Sequence, residues 1–140
     1  MEHQTSYAVL TGDLIKSRRA DSQAIAAAFE VLVDTAHQFG QMHAQDLRFT
    51  RYRGDGWQVV LANPGLVLDA ILYIRARLRA AGLGSETRLA AGIGPVETLG
   101  TTDLADASGP AFFVSGDMID AMSPKRTIHA AGLGISSMVT

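Results

Sequence analysis

The sequence predicts an α+β fold: a ferredoxin-like βαββαβ sheet with an additional C-terminal helix and strand. Three observations predict it. Two β-rich runs flank Arg53-Gly54-Asp55-Gly56, and Asp-Gly between β-formers marks a tight hairpin. Two stretches with apolar residues every three to four positions, 22–40 and 65–82, predict amphipathic helices. These segments alternate along the chain in the order that packs two helices on one face of a mainly antiparallel sheet.

Tyr7-Ala8-Val9-Leu10 is apolar on both faces, as a central strand requires, and it is expected to end at Thr11-Gly12-Asp13. Asp21 or Ser22 caps the first helix, whose stripe is Ile25, Phe29, Leu32, Val33, Ala36 and Phe39, with Gly40 closing it. Leu47 to Tyr52 and Trp57 to Leu61 are the hairpin strands. Asn63-Pro64 is a cap and first-turn pair for the second helix, which turns Val67, Leu68, Ile71, Leu72, Ile74 and Leu78 inward. Gly82-Leu83-Gly84 stops it, and Thr87 to Ile93 is the next strand, with Val96 to Leu99 as an extension beyond Pro95. Ser108-Gly109-Pro110 opens a third helix to about Met122. Thr127 to Ala130 and Ile135 to Val139 close the chain as short strands. Ile25, Phe29, Leu32, Val67, Ile71 and Leu78 are expected to bury against Val9, Val59 and Leu89.

With 140 residues, 47% of them hydrophobic, the chain reads as one domain over its whole length, 1–140. It has no cysteine, which excludes disulfides and thiolate zinc sites. A net charge of −2 makes nucleic acid an unexpected partner. No apolar run approaches the roughly 20 residues of a membrane span, and Met1 to Thr5 lacks the pattern of a secretory leader. A cytoplasmic protein without membrane contact is the expectation.

The chemistry concentrates at two Gly-Asp motifs. In the expected topology the first strand lies beside the hairpin, so Asp13 and Asp55 converge at one sheet edge. Two carboxylates there suit Mg²⁺ or Mn²⁺, which take oxygen ligands and keep positions open for water and phosphate. Gly12, Gly54 and Gly56 let a triphosphate approach the backbone. Taken singly, each aspartate is an ordinary turn former, because Gly-Asp and Asp-Gly are common turn dipeptides. The pair at one edge is what points to a metal.

Tyr7 to Arg18, with its Gly12-Asp13-Leu14-Ile15-Lys16-Ser17-Arg18 core, resembles the opening of the SatD family of small bacterial proteins. Arg53-Gly54-Asp55-Gly56-Trp57-Gln58 is similar to that family's second motif, and Leu89 to Gly94 and Ser108 to Phe112 to its third and fourth. That resemblance implies a helical tail continuing beyond Thr140. More distantly, the strand-end aspartate, the hairpin Gly-Asp-Gly and the glycine-ended fourth strand resemble the palm fold of class III nucleotidyl cyclases and GGDEF-type domains. The resemblance implies metal ligation by Asp13 and Asp55. It also implies a nucleoside triphosphate held by Leu14, Ile15, Lys16, Ser17 and Arg18, and a homodimer that completes the site across a two-fold axis. Aligned through Gly109, the cyclase positions for an asparagine and an arginine hold Phe113 and Asp117 here, which separates nucleotide binding from cyclisation.

Other polar groups have plainer readings. Arg48, Arg51 and Arg53 suit a solvated face with carboxylate partners. Arg75, Arg77 and Arg79 suit the negative end of a helix. Trp57 suits core packing better than base stacking. His3, His37, His43 and His129 have no metal-ligand spacing, and Asp103 and Asp106 lie in a polar loop. Two functions follow: a metal-dependent nucleotide-binding palm domain acting as nucleotidyl transferase or cyclase, or a non-catalytic regulatory or protein-interaction module that keeps the fold. No catalytic residue is assigned.

Overall fold

A computed structural model describes residues 6–15, 22–52, 54–96, 128–132 and 135–139, with single positions at 109, 111 and 119. The elements run β1 (Ser6–Ile15), α1 (Ser22–His43), β2 (Thr50–Tyr52), β3 (Gly56–Leu61), a 3₁₀ turn (Pro64–Leu66), α2 (Val67–Ala80), β4 (Glu86–Pro95), β5 (Ile128–Gly132) and β6 (Ile135–Val139). The strands lie in the order β2-β3-β1-β4-β5-β6. The first four pair antiparallel in the βαββαβ arrangement, β5 adds parallel to β4, and β6 returns antiparallel. The expected α+β class and both closing strands are thus present.

β1 runs past its expected end. Asp13 pairs with Gly56 on one side and with Arg88 on the other, and pairing to β4 continues to Ile15. Neighbours on both edges hold Gly12-Asp13 extended, so the dipeptide that is a turn in isolation is here mid-strand. β2 is shorter than expected because Arg48 sits at φ 49°, outside the strand region. Leu47 is nevertheless buried, and its carbonyl accepts from the Val60 N–H at 3.0 Å. α1 runs past Gly40 to His43, and Ala44 at φ 52° provides the left-handed end. Gly40 serves the return of the chain instead: a Cβ there would lie 2.5 Å from the Gln45 carbonyl oxygen. Asn63 caps as expected, its side chain accepting from the Gly65 N–H at 2.9 Å, although the turn it caps is 3₁₀.

α1 and α2 cover one face of the sheet. Phe29, Leu32, Ile71 and Leu78 are buried there with Val59 and Leu89, and Ile25 and Val67 pack against that core half-buried. Val9 is a correction. It alternates with the helix-side Ala8 and Leu10, so it faces the other way and packs with Val60 and Ala111. An all-apolar triplet carries no sign of which residue faces which layer. Val33, Leu68 and Leu72, expected inside, are 49%, 56% and 54% exposed, because they flank the helix stripes rather than centre them. Arg77 and Tyr73 on α2 lock the helices together, Arg77 Nη2 donating to Asp34 Oδ2 at 2.8 Å and Tyr73 Oη to Gln38 Oε1 at 2.9 Å.

The third helix was expected without an assigned face. Ala111 and Ile119 are helical and buried, and they meet Val9, Val60 and Ala90 on the face away from α1 and α2. The remainder of that helix, and the Val96 to Leu99 extension from position 97 onward, lie outside the described residues. Among the described residues no helix is long and apolar enough to cross a membrane.

Candidate functional site

Strand alternation places Asp13 on the sheet face opposite α1 and α2, with Thr11 two residues before it. Its partner in β3 is Gly56, which sets no side chain beside the carboxylate. Its partner in β4 is Arg88, and directly opposed residues share a face. Arg88 Nε donates to Asp13 Oδ1 at 2.9 Å, and Nη2 donates to Oδ2, so the guanidinium fork engages both carboxylate oxygens. The two side chains are 24% and 31% exposed, which limits solvent screening of the pair.

Asp55 occupies the hairpin turn. Gly54 takes φ 70°, a conformation that glycine adopts without Cβ strain, and brings the chain round into β3. The Leu14 N–H donates to the Asp55 carbonyl at 3.1 Å, tying the turn to β1 one residue beyond Asp13. Neighbouring strands lie about 4.7–4.9 Å apart. Asp55 therefore lies at the same end of the sheet as Asp13, in the turn one residue before Gly56, the β3 partner of Asp13. Asp55 is half-buried.

The Asp13 main chain is fixed from the helix side. The Trp57 indole is fully buried, and its Nε1 donates to Thr87 Oγ1 at 3.0 Å. The Thr87 hydroxyl lies 2.9 Å from the carbonyl oxygens of both Asp13 and Arg88 and shares its one proton between them. Trp57 also explains Gly12: a Cβ at position 12 would fall 2.3 Å from the indole Cε2. Gly12 thus has a packing reason of its own, beside the phosphate approach expected of it. The missing side chain makes room for the indole, which fills that side of the backbone. On the Asp13 face, the buried Gln58 Nε2 donates to Thr11 Oγ1 at 3.0 Å.

Among the expected phosphate contacts, Leu14 is buried and Ile15 is half-buried at the end of β1, while Lys16, Ser17 and Arg18 lie outside the described residues, as do Arg53, Asp103, Asp106, Phe113 and Asp117. Among the described residues no group of three or more His, Cys, Asp or Glu side chains gathers. A cation here would have Asp13 and Asp55 as its carboxylates, with main-chain oxygen, water or phosphate completing the shell. That sparse oxygen set fits Mg²⁺ or Mn²⁺, which commonly rely on one or two carboxylates plus phosphate.

Four other arginines, Arg48, Arg51, Arg77 and Arg79, have structural partners. Arg51 lies over the Phe29 ring at 3.9 Å, and Arg48 pairs with Asp46 at 3.5 Å. Arg79 reaches Glu86 at 3.4 Å. Arg77 and Arg79 thus make specific cross-element pairs beyond any effect on the helix terminus. Arg88, Thr87 and Gln58 were not singled out from the sequence. The signal for Arg88 was its position on an antiparallel neighbour of β1, which is usable only once the register is known.

No family model matches the chain, and no curated protein matches it. Among solved structures it is similar to one described as the structure of a bacterial light-regulated adenylyl cyclase. The TM-score is 0.65 at 12% identity, and the match covers 92% of this chain and 77% of that one. At that identity the likeness is one of fold, and it relates this sheet to the cyclase-type palm.

Proposed function

We propose that this palm domain binds a nucleoside triphosphate together with Mg²⁺ or Mn²⁺, using Asp13 and Asp55 as the cation ligands. One observation carries the reading. Two aspartates from motifs about forty residues apart come to the same end of the sheet, Asp13 on β1 and Asp55 in the turn before β3, linked by the hydrogen bond from the Leu14 N–H to the Asp55 carbonyl. A cation bound by both would leave its remaining positions to phosphate oxygens. This reading assigns phosphate to Leu14, Ile15, Lys16, Ser17 and Arg18, with Gly54 and Gly56 from the hairpin motif. The fold likeness to an adenylyl cyclase supports a nucleotide as ligand. A homodimer belongs to the same proposal.

Nucleotidyl transfer or cyclisation stays a further step of this reading, put in doubt because Phe113 and Asp117 align with the cyclase asparagine and arginine. A second reading, the regulatory module, is favoured by one feature: Arg88 engages both oxygens of Asp13. A thermal-shift screen of nucleoside triphosphates with and without Mg²⁺ or Mn²⁺ separates the two. Ligand at a hundred times its Kd stabilises by about 2.7 kcal/mol, a rise on the order of 5–10 °C for a domain of this size. The proposal expects that rise only when metal and triphosphate are both present. No shift with any combination favours the regulatory module.

A further inference from the structure

Arg88 stands where the proposed site needs a positive charge. Its fork takes Asp13 Oδ1 at 2.9 Å through Nε and Oδ2 through Nη2, and both residues are placed by the β1–β4 register rather than by mobile loops. A bidentate guanidinium uses one in-plane lone pair on each carboxylate oxygen. A divalent cation at its usual distance of about 2.0–2.1 Å would take one of the carboxylate's remaining lone pairs. It would bring two positive charges beside a third, in surroundings where solvent screens weakly. The Arg88 fork and a cation on Asp13 therefore compete.

Charge accounts for what Arg88 does next. Without metal, Arg88 is a charge that neutralises the Asp13 carboxylate. A cation on Asp13 takes over that neutralisation. The guanidinium, turned from Asp13 but still rooted on β4 next to it, then meets phosphate, the other oxyanion whose oxygens its fork pairs with bidentately.

We infer that Arg88 is the resident counter-ion of Asp13 and exchanges the carboxylate for triphosphate when a divalent cation binds. One side chain thereby couples cation and triphosphate binding. The inference rests on Asp13 being a cation ligand. It makes Arg88 oppose the first ligand and favour the second, a pair of opposite effects that a purely structural arginine does not have.

Isothermal titration tests this with Mn²⁺ alone, and with tripolyphosphate in excess Mn²⁺, on wild type, Arg88→Gln, Arg88→Lys and Asp13→Asn. Arg88→Gln is expected to bind Mn²⁺ roughly tenfold more tightly than wild type and tripolyphosphate roughly tenfold more weakly. Arg88→Lys keeps the charge without the fork. It is expected between the two for Mn²⁺, and it carries the test if the glutamine variant fails to give a native melting transition. Asp13→Asn is expected to lose the Mn²⁺ site. Equal Mn²⁺ affinity in wild type and the Arg88 variants, all binding measurably, overturns the exchange and leaves the cation site standing. Weakening of both ligands together also overturns it, by reducing Arg88 to a structural role. Absence of Mn²⁺ binding in every protein, with or without tripolyphosphate, removes the cation site itself and the exchange with it.

Discussion

Gly12 and Asp13 are consecutive residues on opposite faces of one strand, and they answer to different physics. On the helix side Gly12 lies against the fully buried indole of Trp57, within a core of Leu10, Leu32, Leu61 and Leu89. On the other side Asp13 meets Arg88, with the Thr11–Gln58 hydrogen bond next along the strand. The first face is specified by volume, the second by charge and hydrogen bonding. Because the side chains of a strand alternate, the packed layer can hold the backbone rigid while its neighbour carries chemistry. Thr87 joins the two, accepting from Trp57 and sharing its proton between the Asp13 and Arg88 carbonyls.

The largest effect is expected from emptying the packed face. Trp57→Ala should cost about 3–5 kcal/mol in urea unfolding, since it removes the largest fully buried side chain and orphans the Thr87 contact. A loss under about 1 kcal/mol would mean that the indole is not the keystone of that layer. Gly12→Ala comes next, at about 1–3 kcal/mol, because its Cβ cannot coexist with the present indole position. The sharper form is a cycle with Trp57→Leu: the alanine should cost less once the indole is gone, with a coupling above about 0.5 kcal/mol. Additive losses would show that the Gly12–Trp57 contact is not what demands glycine.

Thr87→Val probes the link between the faces. It leaves the buried Trp57 N–H without its acceptor, and a loss of about 1–3 kcal/mol is expected. It should also weaken metal-linked triphosphate binding, although the side chain lies on the helix side. Unchanged binding would show that the faces act independently. The smallest effect is expected outside both layers: Leu72→Gln should stay within about 0.5 kcal/mol of wild type by thermal melting. A larger loss would assign that exposed leucine to an interface, and a monomer–dimer comparison by light scattering would then identify it.

The order of elements was legible because its signals are local. The Arg53-Gly54-Asp55-Gly56 turn, the Asn63-Pro64 cap and the two helical stripes each read out within a few residues. What was not legible is long-range. Nothing near Gly12 indicates an indole 45 positions later, so the glycine was read only as a phosphate contact. Arg88 lies 75 residues from Asp13, and only the β1–β4 register sets them face to face. The same limit applies to Val9, whose apolar neighbours on both sides hide its direction, and to Gly40, where the helix signal was right in kind but the chain returned over it. Two Gly-Asp motifs sufficed to locate the sheet end that carries the proposed site. The residue that balances its charge needed the fold.

Titration calorimetry of ATP and GTP on wild type, Asp13→Asn and Asp55→Asn, with Mn²⁺ and again with EDTA, tests the proposed site most directly. Wild type should bind one of the two nucleotides only with metal, and each asparagine variant should lose that affinity by at least roughly tenfold. Both variants should keep a native melting transition. Equal affinity in all three proteins, or wild-type binding indifferent to the metal, would contradict the assignment of Asp13 and Asp55 as the ligands of a cation-dependent triphosphate site.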